Sequence, residues 1–162
     1  MDCKMVGVGD NGEDSNLARV SIVNYFGNCV YDKFVKPIEK VTNYRTEETG
    51  INPDDIENGA PFKIVRKEVS EILLGRVLVG HSLKNNLNVL LLPHPKEDIR
   101  DTSTFHQFTK PFRGETPTLE RLINRWLSES NVGINNSVQD AKSIMKLYKL
   151  VRKDWEAAAI FY

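Results

Sequence analysis

The 162-residue chain is poor in the residues that mark several common protein classes. It has two cysteines, Cys3 and Cys29, and no C-x-x-C pair. One disulfide can be drawn between them, but two reduced thiols in an intracellular protein are the preferred reading. No apolar run approaches the ~20 residues of a membrane-spanning helix, so no membrane association is expected. The opening MDCKMV lacks the basic and apolar regions of a secretory leader. Neither sign of charge is in excess, with 22 basic and 22 acidic residues and an isoelectric point near 6.8. That balance removes the usual mark of a general nucleic-acid binder and leaves open only a local basic groove. Histidine is scarce, with His81, His94 and His106, and no H-x-x-x-H spacing offers a zinc site. Repeats, low-complexity segments and linkers are also missing. What remains is 40% hydrophobic and 27% charged, an ordinary globular composition sufficient for one core. A single domain over residues 1–162, monomeric, is expected.

Hydrophobic periodicity supplies the elements. Residues 1–8 form a short apolar strand, residues 17–25 (LARVSIVNY) alternate, and residues 29–35 (CVYDKFV) are rich in β-branched and aromatic side chains. The short Phe26-Gly27-Asn28 link suits a hairpin between the last two, and the polar stretch after Gly9 suits a turn. Three sequential antiparallel strands follow. Residues 37–59 read as polar loop. A helix starts at Pro61, carries Phe62, Val65, Val69, Ile72 and Leu73 on one face, and ends at Gly75. A short buried strand, RVLV, runs through the turn GHS into a helix bearing Leu83, Leu87, Leu90 and Leu91, which Pro93 and Pro95 terminate. Residues 99–101 suit another strand. Thr116 and Pro117 read as the cap and first residue of a helix with Leu119, Leu122, Ile123 and Trp126. The last helix is the longest, with Ser137 as its cap and Val138, Ala141, Met145, Tyr148 and Trp155 at helical spacing. The order βββ-α-β-α-β-α-α indicates an α/β domain with a mixed central sheet flanked by helices.

Asp2 and Lys4 share one face of the first strand, since successive side chains alternate. An acid and a base two residues apart on a buried strand suggest an internal ion pair.

The runs DCKMVGVG, LARVSIVNYFG, YDKFVKP, YRT, GHSLKN, IRDTS and SVQDA resemble, in order and over nearly the whole chain, 3′→5′ exonucleases of the DEDD superfamily, histidine subclass. The resemblance implies a ribonuclease-H-like fold and phosphodiester hydrolysis with two divalent ions, Mg2+ or Mn2+. It also implies a nuclear or nucleolar place in ribosomal RNA processing. In that family a D-x-E pair, a third acid after the G-H turn and a fourth near the start of the last helix hold the metals. A histidine five residues before the fourth acid is the general base. Closely spaced divalent ions require anionic oxygens, and the attacking water requires a proton acceptor.

On this sequence Asp2 keeps the first acid position and Asp140 the fourth. Lys4 stands where the second acid belongs, Asn86 where the third belongs, and Asn135 where the histidine belongs. Three of five positions are substituted, so a catalytically inactive or severely impaired protein is expected, with a metal weakly held by Asp2 and Asp140 or absent. A residual metal-dependent exonuclease and a non-catalytic protein-interaction module are the alternatives. Asn86 and Asn135 are neutral hydrogen-bonding groups and neither is a base near neutral pH. His81 is read as a support for the G-H turn, and His106 as a minor candidate for a replacement base. Tyr44, Arg45 and Thr46 match a segment near the substrate end in relatives. Lys84 and Arg100, with Lys110 and Arg113, are candidate phosphate contacts for single-stranded RNA or DNA. The basic face of the last helix, with Lys142, Lys146, Lys149, Arg152 and Lys153, reads as solvated surface. The resemblance further places several strand residues before the first acid, so the first strand is expected to be shortened at its start.

Overall fold

The computed structural model describes residues 1–129 and 135–160. Three long strands, β1 (Asp2–Val8), β2 (Asp14–Val23) and β3 (Cys29–Lys36), form the expected antiparallel meander. β4 (Val41–Asn43) pairs antiparallel with the other edge of β1, and β5 (Ala60–Pro61) pairs parallel with β3. The mixed sheet runs β4-β1-β2-β3-β5. A separate parallel pair, β6 (Leu78–Gly80) and β7 (Ile99–Asp101), is tied to the start of β1, where the Met1 ammonium donates to the Val79 carbonyl oxygen at 2.8 Å. Helices flank the sheet, as the ribonuclease-H-like fold requires.

The helices are α1 (Thr46–Thr49), α2 (Pro53–Glu57), α3 (Phe62–Leu73), α4 (Leu83–Leu90), α5 (His106–Thr109), α6 (Leu119–Leu122) and α7 (Ser137–Ala159). Cys3, Val20 and Val35 pack with Val65 and Val69 of α3 and with Leu83 and Leu87 of α4. A second cluster joins Ile144, Leu147 and Trp155 of α7 to Phe108 and Leu122, with the Phe105 ring stacked on Trp155 at 3.8 Å between centroids. The basic residues of α7 lie on its outer side, where Lys146 pairs with Glu129 and Lys149 covers the Tyr25 ring. That helix is packed on the sheet, as its period implied.

Several boundaries differ from the sequence expectation, each because a polar side chain or a short element intervenes. β2 stops at Val23, since the Asn24 carboxamide oxygen accepts from Phe26 and Asn28 backbone N–H groups and closes the turn. The stretch expected as loop holds β4, α1 and α2, which are too short to show a period. The cap of α6 is Thr118, not Thr116, and accepts from Arg121 N–H. This helix continues into a π-helical turn over Ile123–Leu127. α4 stops at Leu90, ahead of the prolines, with Leu91 in the left-handed region at φ 53°. The cap of α7 is Asn136, whose side chain accepts from Val138 and Gln139 N–H. Ser137 is instead wholly buried, donating to the Ser21 hydroxyl on β2.

Candidate active site

Two elements carry the centre of the site. β1 places Asp2 and Lys4 on one face, and α7 brings Asp140 across from its first turn. The approach of α7 is set by the buried Ser137–Ser21 contact, which Asp32 extends by accepting from Ser21 at 2.7 Å. Asp140 N–H bonds the Asn136 carbonyl oxygen at 3.0 Å, so the acid sits where the helix is partially positive.

The Lys4 ammonium lies between the two acids, 2.6 Å from Asp140 Oδ2 and 3.4 Å from Asp2 Oδ2. The three side chains are only 12–15% exposed. Asp2 Oδ2 accepts no hydrogen bond in addition to that longer ion pair. Burial pushes the Asp2 carboxyl up to about 6; Lys4 opposes that rise and Asp140 adds to it. Burial also disfavours the charged form of Lys4, but attraction to Asp2 and Asp140 outweighs it and raises the ammonium pKa. Lys4 is therefore a fixed cation at neutral pH.

Asn86 occupies the buried stripe of α4 together with Leu83, Leu87 and Leu90. It is 4% exposed, and its Nδ2 has no partner among the described residues. Asn135 is turned elsewhere. At φ 70°, it donates its side-chain amide to the Glu47 carbonyl oxygen in α1. Its backbone lies against Gly50, where an added Cβ would come within 2.8 Å of the Asn135 carbonyl oxygen. Asn135 thus fastens the start of α7 to the α1 segment. Among the described residues no group of three or more His, Cys, Asp or Glu side chains is arranged to hold a metal ion.

The surrounding basic residues divide into two kinds. Arg100 does not present itself as a phosphate contact. It is 6% exposed, bonds both Glu156 carboxylate oxygens at 2.8 and 3.0 Å, and also donates to the Glu97 and Ile99 carbonyls. Arg45 is similarly occupied, donating to Ser15 Oγ and to the Gly12 and Asp14 carbonyls, so it braces the turn before β2. Tyr44 packs against the small core of Val6, Ala18, Ile51 and Ile56, and Thr46 donates to the Ile51 carbonyl at 2.8 Å. Both are corrected to supports of the fold. Lys84, Lys110 and Arg113 are exposed, and His106 opens α5 on the surface.

Sequence reasoning missed Asp101. Its carboxylate accepts from Ser82 N–H and Leu83 N–H, at 2.9 Å each, and from Ser103 N–H and hydroxyl. It thereby caps α4 and fixes the G-H-S turn. His81 in that turn bonds Thr102 Oγ1 at 2.8 Å. Burial lowers its pKa, more than Asp101 and the remaining partners raise it. The IRDTS run carried the signal, an acid followed by two hydroxyls directly after a strand.

Comparison with known proteins agrees with this architecture. Residues 1–148 match a family model described as Exonuclease. RNA exonuclease 4 of Xenopus laevis is 54% identical over 159 residues, covering 98% of this chain and 38% of that protein. RNA exonuclease 4 of Saccharomyces cerevisiae is 48% identical over 158 residues, covering 96% and 55%. The chain thus spans about two fifths to just over half of the length of these curated relatives. Among solved structures, the Neurospora crassa Pan2 catalytic unit has a TM-score of 0.81 at 23% identity, covering 99% of this chain and 28% of that one. The Saccharomyces cerevisiae Pan2 exonuclease module in complex with AAGGAA RNA has a TM-score of 0.80 at 24% identity, covering 98% and 29%. These two likenesses show the fold.

Proposed function

Because the chain belongs to the exonuclease family and is similar to RNA exonuclease 4, we propose that it is an exonuclease-fold protein that has lost hydrolysis and keeps weak single-stranded nucleic-acid binding. The observation that carries this reading is the Lys4 ammonium held between Asp2 and Asp140. Two divalent ions bring a charge of about +4, whereas Asp2, Asp140 and Lys4 together offer about −1. An ammonium ~4 Å from a divalent ion opposes it by roughly 8 kcal/mol at an effective dielectric of ~20. The residues present therefore do not fit a two-metal centre. The lysine neutralises the acids itself, and Asn135, engaged with Glu47, supplies no proton acceptor for a water.

Weak binding of a single strand is supported by the exposed Lys84, Lys110 and Arg113, and by the RNA named with the structurally similar Pan2 module. With few phosphate contacts and no bridging metal, such binding falls steeply with salt. The deciding experiment follows a 5′-labelled single-stranded RNA in magnesium and in manganese. It compares the native chain with the triple variant Lys4→Glu, Asn86→Asp, Asn135→His. Nucleotide release from the variant alone supports the proposal, and equal release from both refutes it. Salt-sensitive retention of RNA by the native chain separates nucleic-acid binding from a purely protein-binding role.

A further inference from the structure

A groove of about 690 Å³ opens at the start of β1, on the opposite side of Asp2 from Lys4 in chain order, and takes no part in the site described above. Residues 22–25 at the end of β2 and residues 76–79 at the start of β6 form its two walls. Pairing of β1 with β2 ends at Asp2↔Ser21, so the wall beyond Ser21 has no strand beside it on that edge among the described residues. On the other side, β6 touches β1 only through the bond from Met1 to Val79. β1 sits between these two walls, which places them two strand spacings apart, about 10 Å. The groove is one strand wide and roughly four residues long. Ile72 and Leu73 of α3 cover one side and Met145 of α7 another. A strand inserted there is buried on both faces and must be apolar at every position.

We propose that this groove binds the C-terminal tail of a partner chain as an added strand, parallel to β6 and antiparallel to β2. The tail consists of about four consecutive apolar residues ending in a free carboxylate. Charge at the inner end of the groove selects that chemistry. The Met1 ammonium is buried there and makes one bond, to the Val79 carbonyl, although it has three N–H donors. A strand arriving along the line of β1 ends against this ammonium, and a terminal carboxylate gives it a counter-ion and further acceptors. Arg76 and Arg152 line the same groove and add positive potential. The two sheet edges provide main-chain hydrogen bonds, the recognition mode of strand addition, joined here to capture of a chain terminus.

The test uses the 162-residue chain and a peptide ending Val-Ile-Val-Leu, with an amino-terminal fluorophore on a soluble Gly-Ser-Glu lead. Anisotropy is followed for the free acid and for its C-terminal amide. Saturable binding of the acid, about tenfold weaker for the amide, is expected. Val77→Arg, at a half-exposed groove position, should lose binding with an unchanged circular dichroism spectrum. A chain carrying four apolar residues ahead of Met1 should also fail to bind, because the strand position is then filled in cis. Absence of binding to the folded native chain overturns the proposal, as does equal binding of acid and amide, or undiminished binding to the extended chain.

Discussion

Replacing Lys4 with methionine keeps much of the side-chain volume and removes the charge between Asp2 and Asp140. Removing one partner from a buried ion pair costs about 3–5 kcal/mol, because the remaining charge is left uncompensated. Here two carboxylates are left, so the cost must depend on pH. In the native chain Asp2 titrates at about 6, held up by burial and drawn down by Lys4. Loss of the ammonium raises that value further. Between the carboxyl's ordinary pKa and its folded pKa, the folded state holds a proton that the unfolded state has released. Stability therefore falls by about 1.4 kcal/mol for each unit of rising pH within that window. The native window closes near pH 6, whereas that of Lys4→Met stays open toward pH 8. The stability gap between the two proteins should therefore widen by up to about 3 kcal/mol from pH 6 to pH 8. Urea denaturation of both at pH 6, 7 and 8 measures it directly. A gap that is constant, or that narrows with pH, refutes the placement of Lys4 as counter-ion to both acids.

Two further perturbations test the supports of the site. Asp101→Ala leaves Ser82, Leu83 and Ser103 N–H groups without their acceptor, so a loss of about 2 kcal/mol is expected in thermal or urea unfolding, with Asp101→Asn recovering part of it. Bonding by Arg100 and Tyr148 holds the Glu156 carboxyl down at about 2. Its contribution is fully present above the ordinary glutamate pKa and is lost as pH falls through the folded value. Glu156→Gln should accordingly flatten the acid limb of the stability profile between about pH 4.5 and pH 2.

The parts of the fold that could be read in advance are those with a period. β1, β2 and β3 alternate, and α3 and α7 repeat their apolar residues at helical spacing over three or more turns. β4, α1 and α2 were invisible because three to five residues cannot express a period. Their positions depend on pairing with β1 and on local hydrogen bonds. In the site, period two alone put Asp2 beside Lys4. Asp140 lies 136 residues from Lys4, and only the ordered family motifs linked them. Isolated basic residues were the hardest to interpret. An arginine facing a phosphate and one facing a carboxylate have the same local sequence, so Arg100 was indistinguishable from a substrate contact until Glu156, 56 residues on, stood against it. Asn24, Asp101 and Asn136 show the same difficulty in polar caps, where one side-chain oxygen decides which residue ends or begins an element.

The account rests on one cation, the Lys4 ammonium, occupying the place between the acids. Isothermal titration of the native chain with magnesium and then manganese, at low ionic strength and neutral pH, tests that placement most directly. No saturable heat below millimolar metal is the expected result, with an unchanged melting temperature, because a ligand that does not bind the folded state cannot stabilise it. Stoichiometric binding at micromolar metal, with a rise in melting temperature, would contradict it.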